Sequence, residues 1–334
     1  MTSQYPETTG VNHVGESLSE DTPAFPDALR RAKISLLAFT PGQGTVEQKF
    51  KPDERIIMSG DLSFTVAVEW LRDQVTGSPE GSPFFLLVHN LIVHDPYDPP
   101  EQYRKLFGAP SVYPGPVTEK DLEKSARNYK EITSEKLERF RRQYDQEVRY
   151  LDDLVEGFFE QLPEGLLDNT VVIFTSDHGE AFGEHGALRH SNYLYEEFLH
   201  IPFLVRAPSI KPRIVTQPIS LLDLVPTIHA IFGIPAEDTF LGRPLIPSIQ
   251  GGSMPEEVLR ADSITLAGSR FAVRSLGWKL MQNSFNDTNF FELYNISSDP
   301  GEKINVFERW PYFPQREKQE ITSLFETLRL SPPQ

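Results

Sequence analysis

The stretch TVVIFTSDHGEAFGEHGALRHS, residues 170–191, joins a short apolar run to a turn rich in glycine and histidine. The β-branched and aromatic residues of its first half predict a strand that is covered on both faces, as in a parallel sheet. Open α/β sheets bind their ligands at the carboxyl ends of their strands, and DHG follows this strand directly. Asp177 and His178 offer a carboxylate and an imidazole side by side, which suits a divalent cation. A helix cap at Asp177, with His178 filling a gap, is the structural alternative.

Three further apolar runs of the same kind occur in the chain. They are ISLLAF (34–39), PFFLLVHN (83–90) and IPFLVRAP (201–208). Within the charged stretch 119–162, apolar residues recur at spacings of three and four, as on one face of a helix. These residues are Val148, Leu151, Leu154, Val155, Phe158, Phe159 and Leu162. The alternation of strand and helix predicts an α/β fold, with a mostly parallel sheet sandwiched by helices.

The character of the sequence changes after about residue 262. The runs ITLAGSRFAVRS, WKLMQ and FFELY are separated by glycine or by Asn/Asp turns, which predicts a small antiparallel sheet. We therefore expect an α/β domain over residues 1–255 and a C-terminal subdomain, an antiparallel sheet plus a helix, over residues 256–334.

Composition excludes several classes of function. The 334 residues carry a net charge of −16, which argues against a nucleic-acid partner because phosphate binding needs a basic surface. An anionic substrate would need a metal or a local cluster of cations to overcome this field. The chain has no cysteine, so it has neither disulfides nor a cysteine nucleophile. No apolar run is long enough to predict a membrane segment. The polar N-terminal stretch does not have the pattern of a signal peptide. The sequence therefore does not indicate a cellular compartment.

Several segments of this chain, in the family's order, resemble the sulfatases of the alkaline phosphatase superfamily. Residues 170–191 with YLYEEFLHIPFLVRAP (193–208) resemble the family's metal-binding region. PFFLLVHNLIVHDPYDPP (83–100) resembles its earlier loop with a substrate-binding histidine. ISLLDLVPTIHAIFGIP (219–235) with GRPL, and FELYNISSDPGEKINV (291–306), resemble the stretch after the site and the C-terminal signature. The resemblance covers residue 1 to about residue 307 and implies an alkaline phosphatase/sulfatase-like fold.

The resemblance also implies residue roles in a metal-dependent sulfuric ester hydrolase. Asp177 and His178 would be ligands of a divalent ion, commonly calcium in this family. His94 would contact the sulfate or the leaving-group oxygen, unless it only decorates the turn before Asp95 and Pro96. His190 would bind the sulfate and protonate the leaving group, although Ser191 follows it where relatives often carry glycine.

Further residues are expected to support this site. His185 in GEHG is expected to be a hydrogen-bonded loop anchor. Arg189 would be a cationic sulfate contact or simply an exposed arginine. Tyr97 and the loop around Tyr113 are expected at the pocket rim. The substrate would be a sulfated small molecule or glycan, with no further identity readable from the sequence.

The nucleophile expected of the family does not occur in this sequence. The family uses a cysteine or serine in a C/S-x-P-S-R type motif, shortly before a segment that MTSQYPETTGV (1–11) resembles. The resemblance therefore implies that the nucleophile loop, the paired aspartates and the first strand would precede Met1. The chain of residues 1–334 alone would then have no sulfatase turnover and would be prone to aggregation. The alternatives are a phosphoester or phosphonate hydrolase of the same superfamily, and a non-catalytic, degenerate or truncated relative.

Overall fold

The computed structural model divides the chain into two compact units. We call Ala24–Val172 with Glu180–Ser191 the parallel-sheet unit, and Met1–Pro23, Ile173–Gly179 and Asn192–Gln334 the C-terminal unit. The structure describes residues 2–11, 18–19, 22, 24–41, 50–58, 60–79, 81–108, 117–118, 132–190, 193–265, 268–275, 277–285 and 288–327. Tyr113 and Ser191, which the sequence analysis singled out, lie outside these residues.

The parallel-sheet unit is built on three parallel strands. These are β1 (Ser35–Thr40), β2 (Arg55–Ile57) and β3 (Phe84–Val88), in the order β2-β1-β3. Ser35 lies opposite Phe84 and Ala38 opposite Arg55, so β1 is the central strand. The last four residues of β1 are buried, as the apolar run ISLLAF predicts. The parallel strands of the predicted α/β fold are confirmed.

Three helices accompany this sheet. They are α2 (Phe25–Arg31), α3 (Asp61–Gly77) and α4 (Ser134–Glu160), after the short α1 (Pro6–Thr9) of the other unit. Leu37, Phe39 and Ala67 form a buried cluster against which Trp70 and Phe158 pack. Thr133 caps α4, because its hydroxyl accepts a hydrogen bond of 3.3 Å from the backbone amide of Lys136. The core of this unit therefore lies between β1 and the helices α3 and α4.

Helix α4 buries a polar face that the apolar periodicity does not predict. Its fully buried residues are Arg139, Phe140, Gln143, Gln146 and Glu147, while none of the seven predicted apolar positions is fully buried. The Gln146 side-chain amide donates to the carbonyl oxygens of Arg104 (3.1 Å) and Leu106 (2.9 Å). The Glu147 carboxylate accepts a 2.7 Å hydrogen bond from the amide of Asp98. These bonds satisfy the backbone of the loop that follows β3, which explains why polar residues are buried here.

The C-terminal unit contains a two-stranded and a four-stranded sheet. Strand β4 (Val172–Thr175) is hydrogen-bonded to β7 (Phe203–Arg206), and none of their residues is fully buried. The antiparallel sheet has the order β11-β10-β9-β8, from β8 (Leu259–Thr265), β9 (Gly268–Ser275), β10 (Trp278–Phe285) and β11 (Thr288–Asn295). This confirms the predicted C-terminal antiparallel sheet, while the boundary after residue 255 stays a prediction.

The remaining elements are short, except for the last helix. In chain order they are β5 (Ala181–Phe182), β6 (Leu188–Arg189), α5 (Glu196–Leu199), α6 (Leu224–Ile231) and α7 (Ile246–Ile249). Helix α8 (Gln315–Thr327) buries Ile321, Leu324 and Phe325 in one cluster with Trp278 and Trp310. No helix in the described part of the chain is long and apolar enough to cross a membrane.

Two segments that follow the predicted metal region, ISLLD (219–223) and GRPL (242–245), are joined through residues near the start of the chain. The Ser3 hydroxyl donates to the carbonyl oxygen of Leu222 (2.7 Å) and accepts from the amide of Gly242 (3.0 Å). A Cβ atom at Gly242 would lie 2.1 Å from that same carbonyl oxygen, so only glycine fits here. The buried Asp223 carboxylate accepts from the amides of Ser220 (3.0 Å) and Arg243 (2.9 Å). ISLLD and GRPL therefore form one hydrogen-bonded layer with the N-terminal residues.

Candidate active site

The first part of the candidate site is the loop that leaves β3. His94 and Asp95 lie in this loop, and the Asp95 side chain is only 2% exposed. His94 Nδ1 lies 2.6 Å from the carbonyl oxygen of Asp95. A carbonyl oxygen can only accept, so Nδ1 carries a proton and the other ring nitrogen, Nε2, is left for a ligand.

The second part is the hairpin formed by β5 and β6. Ala181 pairs with Arg189, and Phe182 pairs with Leu188. This pairing brings Glu180 and His190, the residues that flank the hairpin, to the same end of it. Phe182 and Leu188 pack in a buried cluster with Tyr97, Val117 and Phe140. The loop after β3, the hairpin and helix α4 therefore share one apolar core.

This shared core brings two histidines, an arginine and two carboxylates together. The ring centroids of His94 and His190 are 4.7 Å apart. Arg189 Nη2 lies 2.6 Å from Asp95 Oδ2. His190 Nδ1 lies 3.6 Å from Asp95 Oδ1 and 3.7 Å from Glu180 Oε1. Glu180 Oε2 accepts a 2.9 Å hydrogen bond from the Tyr97 hydroxyl.

The buried carboxylates favour the charged form of His190. Interaction with the Glu180 side chain raises the pKa of the imidazole, and the charge of Asp95 adds to this effect. Burial and the nearby Arg189 guanidinium act in the opposite direction. Burial and the Glu180 charge also raise the pKa of the Tyr97 hydroxyl. The cluster therefore presents imidazolium and guanidinium groups, which suits an anion.

His94, Asp95 and His190 are also close enough to share an ion, since one donor atom from each lies within 4.8 Å of the others. Among the described residues, however, Arg189 already pairs with Asp95 at 2.6 Å. A cation would have to displace or lie beside this half-buried guanidinium, which costs electrostatic energy. The three residues do not fit a resident cation site.

The predicted metal ligands Asp177 and His178 belong to the C-terminal unit. Both side chains are exposed, and no helix begins in this described stretch, so the alternative of a helix cap is wrong. Asp177 Oδ1 accepts from the amide of His178 (3.0 Å), and His178 Nδ1 lies 2.9 Å from the carbonyl oxygen of Gly179. The His178 Nε2 and the Asp177 Oδ2 atoms lie 3.8 Å apart. A carboxylate and an imidazole fit part of a divalent site, because calcium takes six to eight oxygen ligands.

Glycine is required after this pair for a steric reason. The Gly179 amide donates a 2.9 Å hydrogen bond to the carbonyl oxygen of Phe198. A Cβ atom at position 179 would lie 2.1 Å from the carbonyl oxygen of Glu197. The backbone approach that holds Asp177 and His178 at the end of β4 therefore needs the glycine of DHG.

The structure places the other candidate residues differently from one another. His185 lies on the exposed turn of the hairpin, where its φ is 50°, and its anchoring role stays a prediction. Arg189 is half-buried against Asp95 rather than exposed. Tyr97 is fully buried, so its expected place at the pocket rim is wrong. Its ring packs beneath the site because Tyr144 and Phe182 surround it.

Sequence reasoning missed Asp95 and Glu180 as members of the site. The signal for both was their position, because Asp95 follows His94 and Glu180 follows DHG. A carboxylate next to a predicted catalytic histidine is a common partner for its ring.

Two family models match the chain. Residues 1–234 match the family described as Sulfatase, and residues 183–327 match N-sulphoglucosamine sulphohydrolase, C-terminal. The choline-sulfatase of Rhizobium meliloti (strain 1021) is 29% identical over 243 residues, which are 68% of this chain and 46% of that protein. The chain thus spans less than half the length of this curated relative.

Solved structures show the same fold. A protein in complex with its substrate D-glucosamine-2-N,6-O-disulfate superposes with a TM-score of 0.74 at 19% identity, over 98% of this chain and 86% of that one. The phosphonate monoester hydrolase from Silicibacter pomeroyi superposes with a TM-score of 0.67 at 18% identity, over 98% and 83%. At these identities the likeness shows the fold alone.

Proposed function

The chain belongs to the sulfatase family, and from this membership we propose that it carries the sulfate-binding and leaving-group side of a sulfuric ester hydrolase site. The single observation that supports this most is the close group of His94, Arg189 and His190 beside two buried carboxylates. The proposed substrate is a sulfated small molecule or glycan. A relative named choline-sulfatase, and a fold neighbour with a disulfated glucosamine as substrate, support this class.

The chemistry of sulfate-ester cleavage needs the charges that this group supplies. Negative charge develops on the sulfuryl oxygens and on the leaving-group oxygen. The Arg189 guanidinium and the His94 ring would bind the sulfuryl oxygens, and the His190 imidazolium would give its proton to the leaving oxygen. A local cationic group is needed because the chain as a whole carries a net charge of −16.

Asp177 and His178 would contribute one carboxylate oxygen and one imidazole nitrogen to a divalent ion, with calcium as the proposed metal. When bound, such an ion would act as a Lewis acid that stabilises developing negative charge. Further ligands are required, because two donors cannot fill the coordination shell of a hard cation.

Binding of a sulfate monoester to the full chain tests this proposal. Isothermal calorimetry with 4-nitrophenyl sulfate should show binding that weakens at least about tenfold in Arg189→Ala and in His94→Ala, because a charge-assisted hydrogen bond contributes roughly 1.5–3 kcal/mol. Arg149→Ala is the matched control, since this half-exposed arginine pairs with Asp152 on α4. Circular dichroism would show that each variant is folded.

Three results would contradict the proposal. Equal binding by wild type, Arg189→Ala and Arg149→Ala would show that the cluster does not hold the ester. Tighter binding of 4-nitrophenyl phosphate or of an aryl phosphonate than of the sulfate would favour the phosphoester alternative. A chain that binds none of these esters would favour the non-catalytic alternative.

A further inference from the structure

We propose that the buried carboxylates of Glu180 and Asp95 are positioning residues, which fix the His190 ring through Nδ1 and hold it as an imidazolium that donates its proton from Nε2. This inference rests on the proposed function of His190 as the proton donor. Glu180 is the principal partner in this arrangement.

The geometry around Nδ1 carries the first step. Two carboxylate oxygens, Asp95 Oδ1 at 3.6 Å and Glu180 Oε1 at 3.7 Å, face this one nitrogen. Both side chains are nearly inaccessible, at 2% and 6% exposed, while the His190 side chain is 31% exposed. Nδ1 itself is buried, so the solvent-facing part of the ring lies away from the carboxylates. A proton on the outer edge of the ring is therefore the one that can reach a substrate.

The second step is that the Glu180 carboxylate is itself held in place. The hydroxyl of Tyr97 donates to Glu180 Oε2 at 2.9 Å. The Tyr97 ring is fully buried, with the ring centroids of Tyr144 and Phe182 at 5.8 Å and 5.9 Å. Such supporting contacts restrict the rotamers of the carboxylate and hence the orientation of the imidazole.

The balance of charges identifies Glu180 as the principal partner. Asp95 already pairs with the Arg189 guanidinium at 2.6 Å, so one of the two negative charges is compensated. Glu180 Oε1 lies 3.7 Å from His190 Nδ1, and Glu180 is the largest of the influences that raise the pKa of His190. A buried carboxylate strongly favours a neighbouring cation, because solvent does not screen it.

Groups on every packed element enter this balance. His94, Asp95 and Tyr97 come from the loop after β3, and Glu180 and Arg189 come from the hairpin. Tyr144 and Glu147 come from helix α4. Burial raises the pKa of Glu147 to about 8, so near neutral pH this group is largely protonated and adds little negative charge. Glu180 and Asp95 raise the pKa of His190 against the effects of burial and Arg189.

Side-chain NMR of the full 15N-labelled chain tests this without any turnover. The chain has eight histidines, and a His190→Gln variant assigns the resonance of His190. In the wild type we expect His190 to titrate above the ordinary imidazole pKa of about 6.5. In Glu180→Gln the pKa of His190 should shift down, so that the ratio of imidazolium to imidazole at pH 7 falls. Asp95→Asn should also lower this pKa, because it removes a carboxylate oxygen 3.6 Å from Nδ1 and takes the ion-pair partner away from Arg189.

Two further variants separate positioning from general structure. Glu180→Asp keeps the charge and should retain most of the raised pKa of His190, even if Glu180→Gln folds poorly. Glu184→Gln changes an exposed glutamate on the same hairpin and should leave the titration of His190 unchanged. A pKa of His190 that is equal in wild type, Glu180→Gln and Glu184→Gln, or that Glu180→Asp lowers as much as Glu180→Gln does, would overturn the inference.

Failure of this inference is distinct from failure of the proposed function. A His190 pKa that depends on Glu180, in a chain that binds no sulfate ester, would keep the positioning role and remove the sulfatase proposal. Ester binding that depends on Arg189, with a His190 pKa independent of Glu180, would do the reverse.

Discussion

Replacing Lys279 by methionine should destabilise the C-terminal unit by about 3–5 kcal/mol, the usual result of breaking a buried ion pair from one side. Lys279 Nζ lies 2.8 Å from Glu302 Oε1 and 3.1 Å from Glu196 Oε1. The lysine is 1% exposed and the Glu302 side chain is fully buried. Arg274 still pairs with Glu196 at 2.8 Å, so the loss of the Lys279 charge acts mainly on Glu302.

The position of Glu302 explains why this loss is costly. Its second oxygen, Oε2, accepts a 2.6 Å hydrogen bond from the amide of Glu196, which ties the segment before β7 to the C-terminal signature. Burial already raises the pKa of Glu302. Without the Lys279 charge 2.8 Å away, the buried carboxyl either stays charged with less compensation or takes up a proton, and either state costs free energy.

Urea denaturation followed by tryptophan fluorescence measures this effect. Trp278 and Trp310 lie in the buried cluster of the C-terminal unit, and a Trp70→Phe background removes the signal of the parallel-sheet unit. Lys279→Met with Glu302→Gln should recover most of the lost free energy of unfolding, since no isolated charge remains. The exposed Lys211→Met is the control, with an expected change within about 0.5 kcal/mol.

Either of two results would contradict the expected stability cost of Lys279→Met. A loss below about 1 kcal/mol in Lys279→Met would mean that water or a rearranged side chain compensates Glu302. A double variant no more stable than the single one would mean that the loss comes from packing rather than from the unpaired carboxylate.

Three further outcomes are expected. Burial raises the pKa of Glu147 from 4.5 to about 8, so between these pH values the folded state holds a proton that the unfolded chain releases. The free energy of unfolding should therefore fall by up to about 5 kcal/mol from pH 4.5 to 8. Glu147→Gln should flatten this pH dependence in urea melts. Leu204 and Phe174 are 59% and 40% exposed on the two-stranded sheet, so Leu204→Lys should reduce self-association in sedimentation experiments; unchanged association would exclude this face. Calcium binding measured by calorimetry should be weak and should disappear in Asp177→Ala; tight binding that survives would contradict the metal assignment.

Much of the fold could be predicted from local pattern. The runs ISLLAF, PFFLLVHN, TVVIFTS and IPFLVRAP each contain an observed strand, because β-branched and aromatic residues in short runs leave little alternative. The glycine and Asn/Asp turns after residue 262 mark the antiparallel hairpins. These signals are local, so they survive without knowledge of the partner strands.

The polar burial of α4 could not be predicted in this way. Gln146 and Glu147 are buried because they bond the backbone of a loop about 40 to 50 positions earlier in the chain. Hydrophobic periodicity carries no information on such long-range pairs. It therefore indicated the later, apolar turns of the helix, which the structure leaves only half-buried.

The candidate site was predictable in its histidines but not in its support. The resemblance to a family indicated His94 and His190, whereas their contact depends on the hairpin that returns beside the loop after β3. Asp95 and Glu180 act on the His190 ring because their side chains are buried beside it, and no spacing in the sequence shows this burial. For the same reason Tyr97 was expected at a rim, although its ring lies in the core.

The most direct measurement is a crystal structure of the chain soaked with 4-nitrophenyl sulfate. We predict that the sulfuryl oxygens lie within hydrogen-bond distance, roughly 2.7–3.2 Å, of at least two of the side chains of His94, Arg189 and His190. The ester oxygen should lie on the side of His190 away from Glu180. A metal ion bound by His94, Asp95 and His190, or the ester bound away from this cluster, would contradict the central claim.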